Sequence, residues 1–162
     1  MGEVEAYNLK HWTQKIVNDP DLLPKGASTF CNIAVKRICA GMGYRGFDEY
    51  ESDIKRDALA NDIYMKCAAD WARCDEKEAY SAALLGDLVM AAYHNQAGHG
   101  HCAIVSPEGP MVFSGKWNMY VPKVANVGAR KMNGEYNNGI IGENYAFGKE
   151  PPAHFRLLKT TA

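Results

Sequence analysis

Cys31 and His101 have the side-chain types and the setting that nucleophilic chemistry needs. Cys31 stands in Thr29-Phe30-Cys31-Asn32-Ile33, one to three residues into a helix expected to be capped by Ser28 or Thr29. Unpaired backbone N–H groups and the macrodipole at such a position favour an anion. A thiolate there has a lowered pKa and attacks carbonyl carbon at neutral pH. The opposing reading makes Cys31 an ordinary core residue, because it shares an apolar stripe with Val35 and Ile38 and cysteine is often buried. A thiol nucleophile also needs a base. The best placed is His101 in Gly98-His99-Gly100-His101-Cys102, about 70 residues further on. His101 opens an apolar run after a glycine-rich approach, which sets its ring at the mouth of a sheet. His11, His94 and His154 have no such setting.

The same cluster permits a metal. His99, His101 and Cys102 are all residues that zinc accepts, and an H-x-H pair on one strand recurs in metal sites. Strand alternation, however, turns Cys102 to the face opposite His101, and no H-E-x-x-H or C-x-x-C completes a ligand set.

The elements that must carry these residues follow from the pattern. Residues 1–18 predict a first helix, with Val4, Tyr7, Leu9, Trp12 and Ile16 near helical spacing; Asp19-Pro20 and Pro24-Lys25-Gly26 end it. A second helix runs from Ser28 or Thr29 to about Met42, where Gly41 and Gly43 stop it. Residues 48–73 predict a third helix and a fourth. The character changes after Gly86. Leu88–Tyr93 and His101–Val105 read as buried strands; Met111–Ser114, Tyr120–Val127 and His154–Leu158 supply more. Helices first and strands second give an α+β fold with a largely antiparallel sheet.

Composition narrows the class. The 162 residues are 47% hydrophobic, which suits one domain over residues 1–162 and excludes disorder. Lys and Arg total 18 against 19 Asp and Glu, so no overall charge recommends a nucleic acid partner. No run of about 18 apolar residues offers a membrane span. The start lacks a basic stretch followed by an apolar one, so no signal peptide is expected, and Ala6 stands where myristoylation prefers Ser or Thr. The five cysteines, Cys31, Cys39, Cys67, Cys74 and Cys102, are an odd set and read as reduced thiols of a protein made in the cytoplasm.

Three blocks in order, Thr29-Phe30-Cys31-Asn32-Ile33-Ala34-Val35, Leu85-Gly86-Asp87-Leu88-Val89-Met90-Ala91 and Gly100-His101-Cys102-Ala103-Ile104-Val105, resemble the NlpC/P60 and CHAP group of papain-like cysteine hydrolases. Type VI secretion amidase effectors and several phage lysis enzymes are built the same way. The sequence departs from the group's pattern in having Phe30 where Asp often precedes the cysteine, and Cys102 where Val is usual. The resemblance implies a papain-like fold, with N-terminal helices packed on a C-terminal antiparallel sheet. It also implies hydrolysis of an amide bond in peptidoglycan stem peptides by Cys31 and His101, without a cofactor. A third polar residue orients the histidine; Asn126 is the choice, on a later strand, with Asn118 and Ser114 as competitors. Lys123, Arg130 or Lys131 are candidates to line a cleft for the substrate's carboxylates, and Trp117 and Tyr120 to wall it. The expected partners are the peptidoglycan peptide and, for an interbacterial effector, an immunity protein, with no nucleic acid and no membrane. Such a protein acts in the periplasm or cell wall after delivery by a holin, a phage tail or a secretion system. The alternatives are a zinc-dependent hydrolase using His99 and His101, and a non-catalytic papain-fold binding module.

Overall fold

A computed structural model of the chain describes residues 2–26, 29–48, 56–129, 133 and 135–158. The first helix, α1 (Gly2–Val17), carries Glu3 and Glu5 in its first turn and Lys15 in its last, the arrangement that complements the helix dipole. Leu9, Ile16 and Val17 are buried, whereas Val4 and Tyr7 stand in solvent; the apolar stripe is narrower than their spacing predicts. A short 3₁₀ turn at Pro20–Leu22, with Asp19 accepting from the Asp21 amide, turns the chain.

The second helix, α2 (Cys31–Gly41), begins at the candidate nucleophile itself. Its N-cap is Phe30, which makes no side-chain capping bond; Thr29 lies outside the helix and Ser28 outside the described residues. Ile33, Ala34, Val35, Ile38 and Cys39 bury the helix on the core, each large aliphatic among them contributing about 1.5–3 kcal/mol by leaving water. Gly41 lets α1 approach, since a Cβ there would fall 2.3 Å from the Trp12 ring.

The next helix, α3 (Arg56–Asp70), is followed by a short strand, β1 (Ala72–Cys74). Of the two helices expected over 48–73 the described residues show α3; beyond that stretch α4 (Glu76–Leu84) starts at a capping box in which Asp75 accepts from Glu78 N. Residues 49–55, where part of the charged stretch falls, lie outside the described residues.

The strands of the second half are β2 (Val89–Tyr93), β3 (His101–Val105), β4 (Val112–Ser114), β5 (Met119–Val121), β6 (Lys123–Asn126), β7 (Gly139–Gly142) and β8 (Ala153–Arg156), with a one-turn helix, α5 (Glu143–Ala146), before β8. The stretch 120–127 is two strands rather than one, because Pro122 has no amide hydrogen for a ladder. Six strands form one sheet in the order β1-β8-β2-β3-β6-β7, and β4 and β5 form a separate pair. Among the described residues every strand pairing is antiparallel. The fold is thus α+β, as the pattern predicts.

Register fixes which side chains share a face. Met90 pairs with Ile104 and Phe155, and Ala92 with Cys102 and Ala153. Phe155 meets the Tyr64 ring of α3 at a centroid distance of 5.3 Å, so this is the face that carries α2 and α3. Cys102 therefore points into the helix layer. Asp87 locks the start of β2 to β8 by accepting from Arg156 Nη2 at 2.6 Å and Nε at 3.1 Å. The Gly86-Asp87 pair of the sequence block is thus structural. Gly86 ends α4 at a φ of 84° against the α1 backbone, where a Cβ would fall 2.3 Å from the Glu5 carbonyl carbon.

Candidate active site

The start of α2, the start of β3 and the end of β6 meet at one place. Cys31 is the first residue of its helix and His101 the first of its strand, while Asn126 is the last of β6. With no capping side chain at Phe30, the first turn of α2 keeps the N–H-rich, electropositive end that favours an anion.

Asn126 orders the histidine. Its Nδ2 donates to the Asn137 carbonyl at 2.9 Å, which leaves Oδ1 facing the ring, 2.7 Å from His101 Nε2. Only an Nε2–H can satisfy that oxygen, so the hydrogen-bond network assigns the tautomer. Nδ1 is then the nitrogen left to exchange a proton with Cys31, whose thiol interacts directly with the ring. The carbonyl of Asn137 belongs to a stretch tied down in turn: Asn138 Oδ1 accepts from Gly128 N, and its Nδ2 donates to Leu22 O at 3.0 Å. Gly128 lies against the same ring, where a Cβ would come within 3.3 Å of His101 Cε1. Phe147, just after α5, tilts its ring over His101 at 4.9 Å between centroids.

The loop that delivers His101 is held by Asn61 of α3. Its Oδ1 accepts from Asn95 N, and its Nδ2 donates to the carbonyls of Asn95 and Gly98. Gly100 has no room for a side chain, since a Cβ would fall 2.3 Å from Asn61 Oδ1. The glycine-rich approach seen in the sequence therefore serves a close backbone contact.

The electrostatics separate the five free cysteines. The Cys31 thiol is held well below the usual range. The largest cause is a hydrogen bond from the Cys102 thiol, and the His101 ring and the Cys102 backbone N–H add to it against the cost of burial. Burial opposes a charge on His101, but the Cys31 sulfur and Asn126 outweigh it and raise the ring's pKa. A thiolate–imidazolium pair is the protonation state these shifts favour. Elsewhere burial pushes the Cys39 and Cys67 thiols up, and lifts Cys74 to about 11. Cys102 is also driven up, chiefly by its bond to Cys31.

The other candidates are occupied elsewhere. His99 is exposed, and its carbonyl takes a bond from Asn95 Nδ2. Ser114 Oγ accepts from Trp117 N, and Asn118 adopts a φ of 53° in the β4–β5 turn. The Trp117 indole donates to Lys149 O, and Tyr120 packs edge-on against Phe113. Lys123 lies at the far end of β6 from Asn126, beside Gly109; Arg130 and Lys131 lie outside the described residues. Among the described residues no group of three or more His, Cys, Asp or Glu could hold a metal ion, and register turns Cys102 away from His101's side of the sheet. No helix among them is long and apolar enough to cross a membrane.

No protein-family model matches the chain, and no curated protein matches it. The signals that sequence reading passed over are of two kinds. Gly128 and Phe147 act on His101 from segments with no motif, and Cys102 looks apolar by its position in β3.

Proposed function

We propose that the chain is a cysteine hydrolase of papain-like architecture that cleaves an amide bond in peptidoglycan stem peptides. The observation that carries the hydrolase part is Asn126: its amide is fixed by Asn137 so that His101 presents Nδ1 to a helix-start thiol. A buried structural cysteine has no use for an oriented histidine.

The mechanism follows from the geometry. His101 takes the Cys31 proton, and the sulfur attacks the amide carbon. The tetrahedral oxyanion is stabilised by the N–H groups of the first turn of α2, the Cys31 amide foremost. His101, protonated on Nδ1, gives that proton to the leaving amine as the C–N bond breaks and a thioester remains. Water, deprotonated by the same nitrogen, attacks the thioester and releases a carboxylate, restoring the thiol. Asn126 keeps the ring's plane and tautomer through both half-reactions, the role played by the third member of such triads.

The substrate class is supported by the sequence blocks around Cys31, Gly86-Asp87 and His101, which resemble NlpC/P60 and CHAP hydrolases of peptidoglycan. A phage lysis enzyme and an interbacterial effector are both compatible with that resemblance. Digestion of purified sacculi by the wild type and by Cys31→Ala, with mass spectrometry of the soluble products, tests the proposal. The expected result is release of stem-peptide fragments by the wild type alone, their masses naming the bond. Equal release by both proteins would remove Cys31 from the mechanism.

A further inference from the structure

The β3 residue that follows the histidine is a second thiol aimed at the first. Cys102 sits on the helix-facing side of β3, between α2 and the sheet, as its pairing with Ala92 beside the Phe155 face requires. Its side chain is buried, and its sulfur and backbone N–H both bond to the Cys31 sulfur. Its hydrogen bond supports the Cys31 thiolate, but no bond made or broken in the hydrolysis passes through this thiol. The resemblance group's usual valine would fill the same space without chemistry.

We propose that Cys102 is a resolving thiol, so that oxidation of Cys31 by a peroxide ends in a reversible Cys31–Cys102 disulfide that switches the site off. The inference rests on the reading of Cys31 as a reactive thiolate, not on the identity of the substrate. In the first step the Cys31 thiolate attacks a peroxide oxygen; the O–O bond breaks, sulfur is oxidised to the sulfenic acid, and the other oxygen leaves as hydroxide or alkoxide. In the second, the Cys102 sulfur gives up its proton and attacks the sulfenic sulfur. The S–S bond forms and the S–OH oxygen departs as water with that proton. Two thiols and one peroxide thus give one disulfide, and any external dithiol reverses it. Both thiols are buried where α2 packs on β3, Cys31 at the helix start and Cys102 on the helix-facing side of the strand, the placement from which a disulfide can form. Because a sulfenic acid that meets a thiol does not go on to the sulfinic acid, the same step protects the nucleophile.

The test uses the intact chain treated with hydrogen peroxide at pH 7, then digested with trypsin under denaturing, thiol-blocking conditions. Cleavage after Lys or Arg isolates Cys31 in the peptide 26–36 and Cys102 in 78–116, with Cys39, Cys67 and Cys74 on other peptides. The expected product is the 26–36 and 78–116 pair, linked and about 2 Da below their summed mass, and dithiothreitol should restore iodoacetamide labelling of Cys31. Cys102→Val, and Cys102→Ser as a smaller change should the valine perturb folding, should instead carry about 32 Da on the Cys31 peptide, with labelling lost for good. Wild type that gains the same irreversible mass as the variants with no linked pair, at whatever rate, would overturn the proposal. Labelling before peroxide separates the two readings. A Cys31 that alkylates readily but never links refutes only the resolving role, whereas a Cys31 inert to iodoacetamide refutes both.

Discussion

Replacing Asn126 by alanine asks how much of the site's chemistry depends on an oriented imidazole. The substitution removes the 2.7 Å bond to His101 Nε2 and leaves the Asn137 carbonyl without its 2.9 Å donor. A hydrogen bond to a charged partner contributes about 1.5–3 kcal/mol. Since about 1.4 kcal/mol is a tenfold change in rate, kcat/KM on a stem-peptide substrate should fall roughly 10- to 150-fold. The pH profile makes the test specific. The reactive pair is lost on the acid side when the thiolate takes a proton, and on the alkaline side when His101 gives one up. Asn126 is among the groups that raise the His101 pKa, so its removal should shift the alkaline limb to lower pH. The acid limb should respond less, because the Cys102 thiol is the largest support of the Cys31 thiolate. The assay is the rate of Cys31 alkylation by iodoacetamide across pH, beside turnover. Asn126→Ala with turnover within twofold of wild type and an unmoved alkaline limb would refute the orientation argument.

Four further outcomes follow from the same contacts. In the wild type at pH 7 iodoacetamide should modify Cys31 well before Cys39, Cys67 and Cys74, whose thiols burial pushes up; peptide mapping reads the order. Cys31→Ala should lower the His101 pKa, since the sulfur's hydrogen bond and charge raise it against burial. The contribution of that ring to stability, fully present below its ordinary value and lost as pH rises through its folded value, should then be lost at lower pH; an NMR titration of the ring follows the shift. Gly128→Ala, with a methyl 3.3 Å from His101 Cε1, should reduce turnover while the far-UV circular dichroism stays that of the wild type. His154→Ala removes the partner of a fully buried Glu143, a loss of about 3–5 kcal/mol that should lower Tm by roughly 10 °C; an unchanged melting curve would show that the pair does not support the fold.

The sequence carries the helical first half, the strand that His101 opens and the antiparallel sheet, because long apolar periodicity and glycine punctuation are local signals. Cys31 and His101 stand in two of the blocks, whereas Asn126, which bonds the His101 ring, stands in none and was legible only as a polar residue on a later strand. What stayed illegible was written elsewhere than in periodicity. The α4 helix begins at Asp75-Glu76-Lys77-Glu78, whose Asp and Glu spacing is a capping box that hydrophobic anchors alone do not reveal. The strand β1 and the helix α5 are too short to show a period. Val4 and Tyr7 keep helical spacing yet face water, since the face a helix buries is chosen by its neighbours. The cap of α2 is Phe30 rather than Ser28 or Thr29, and a cap without a side-chain bond leaves no mark in composition. Asn61, Gly128 and Phe147 touch the His101 segment from distant parts of the chain, and nothing local to those residues announces a long-range contact.

The strand order has a bearing on when the protein can first act. β8, made of residues 153–156, lies between β1 and β2 rather than at an edge, and its Arg156 secures Asp87 at the start of β2. While the chain is being synthesised, β2 and β3 can pair, but β2 keeps an open edge until those late residues are made. The scaffold beneath Cys31, His101 and Asn126 is therefore unfinished long after all three have been added. A ribosome-bound chain should carry a weakly reactive thiol, and the gain of reactivity should coincide with the seating of that one inner strand.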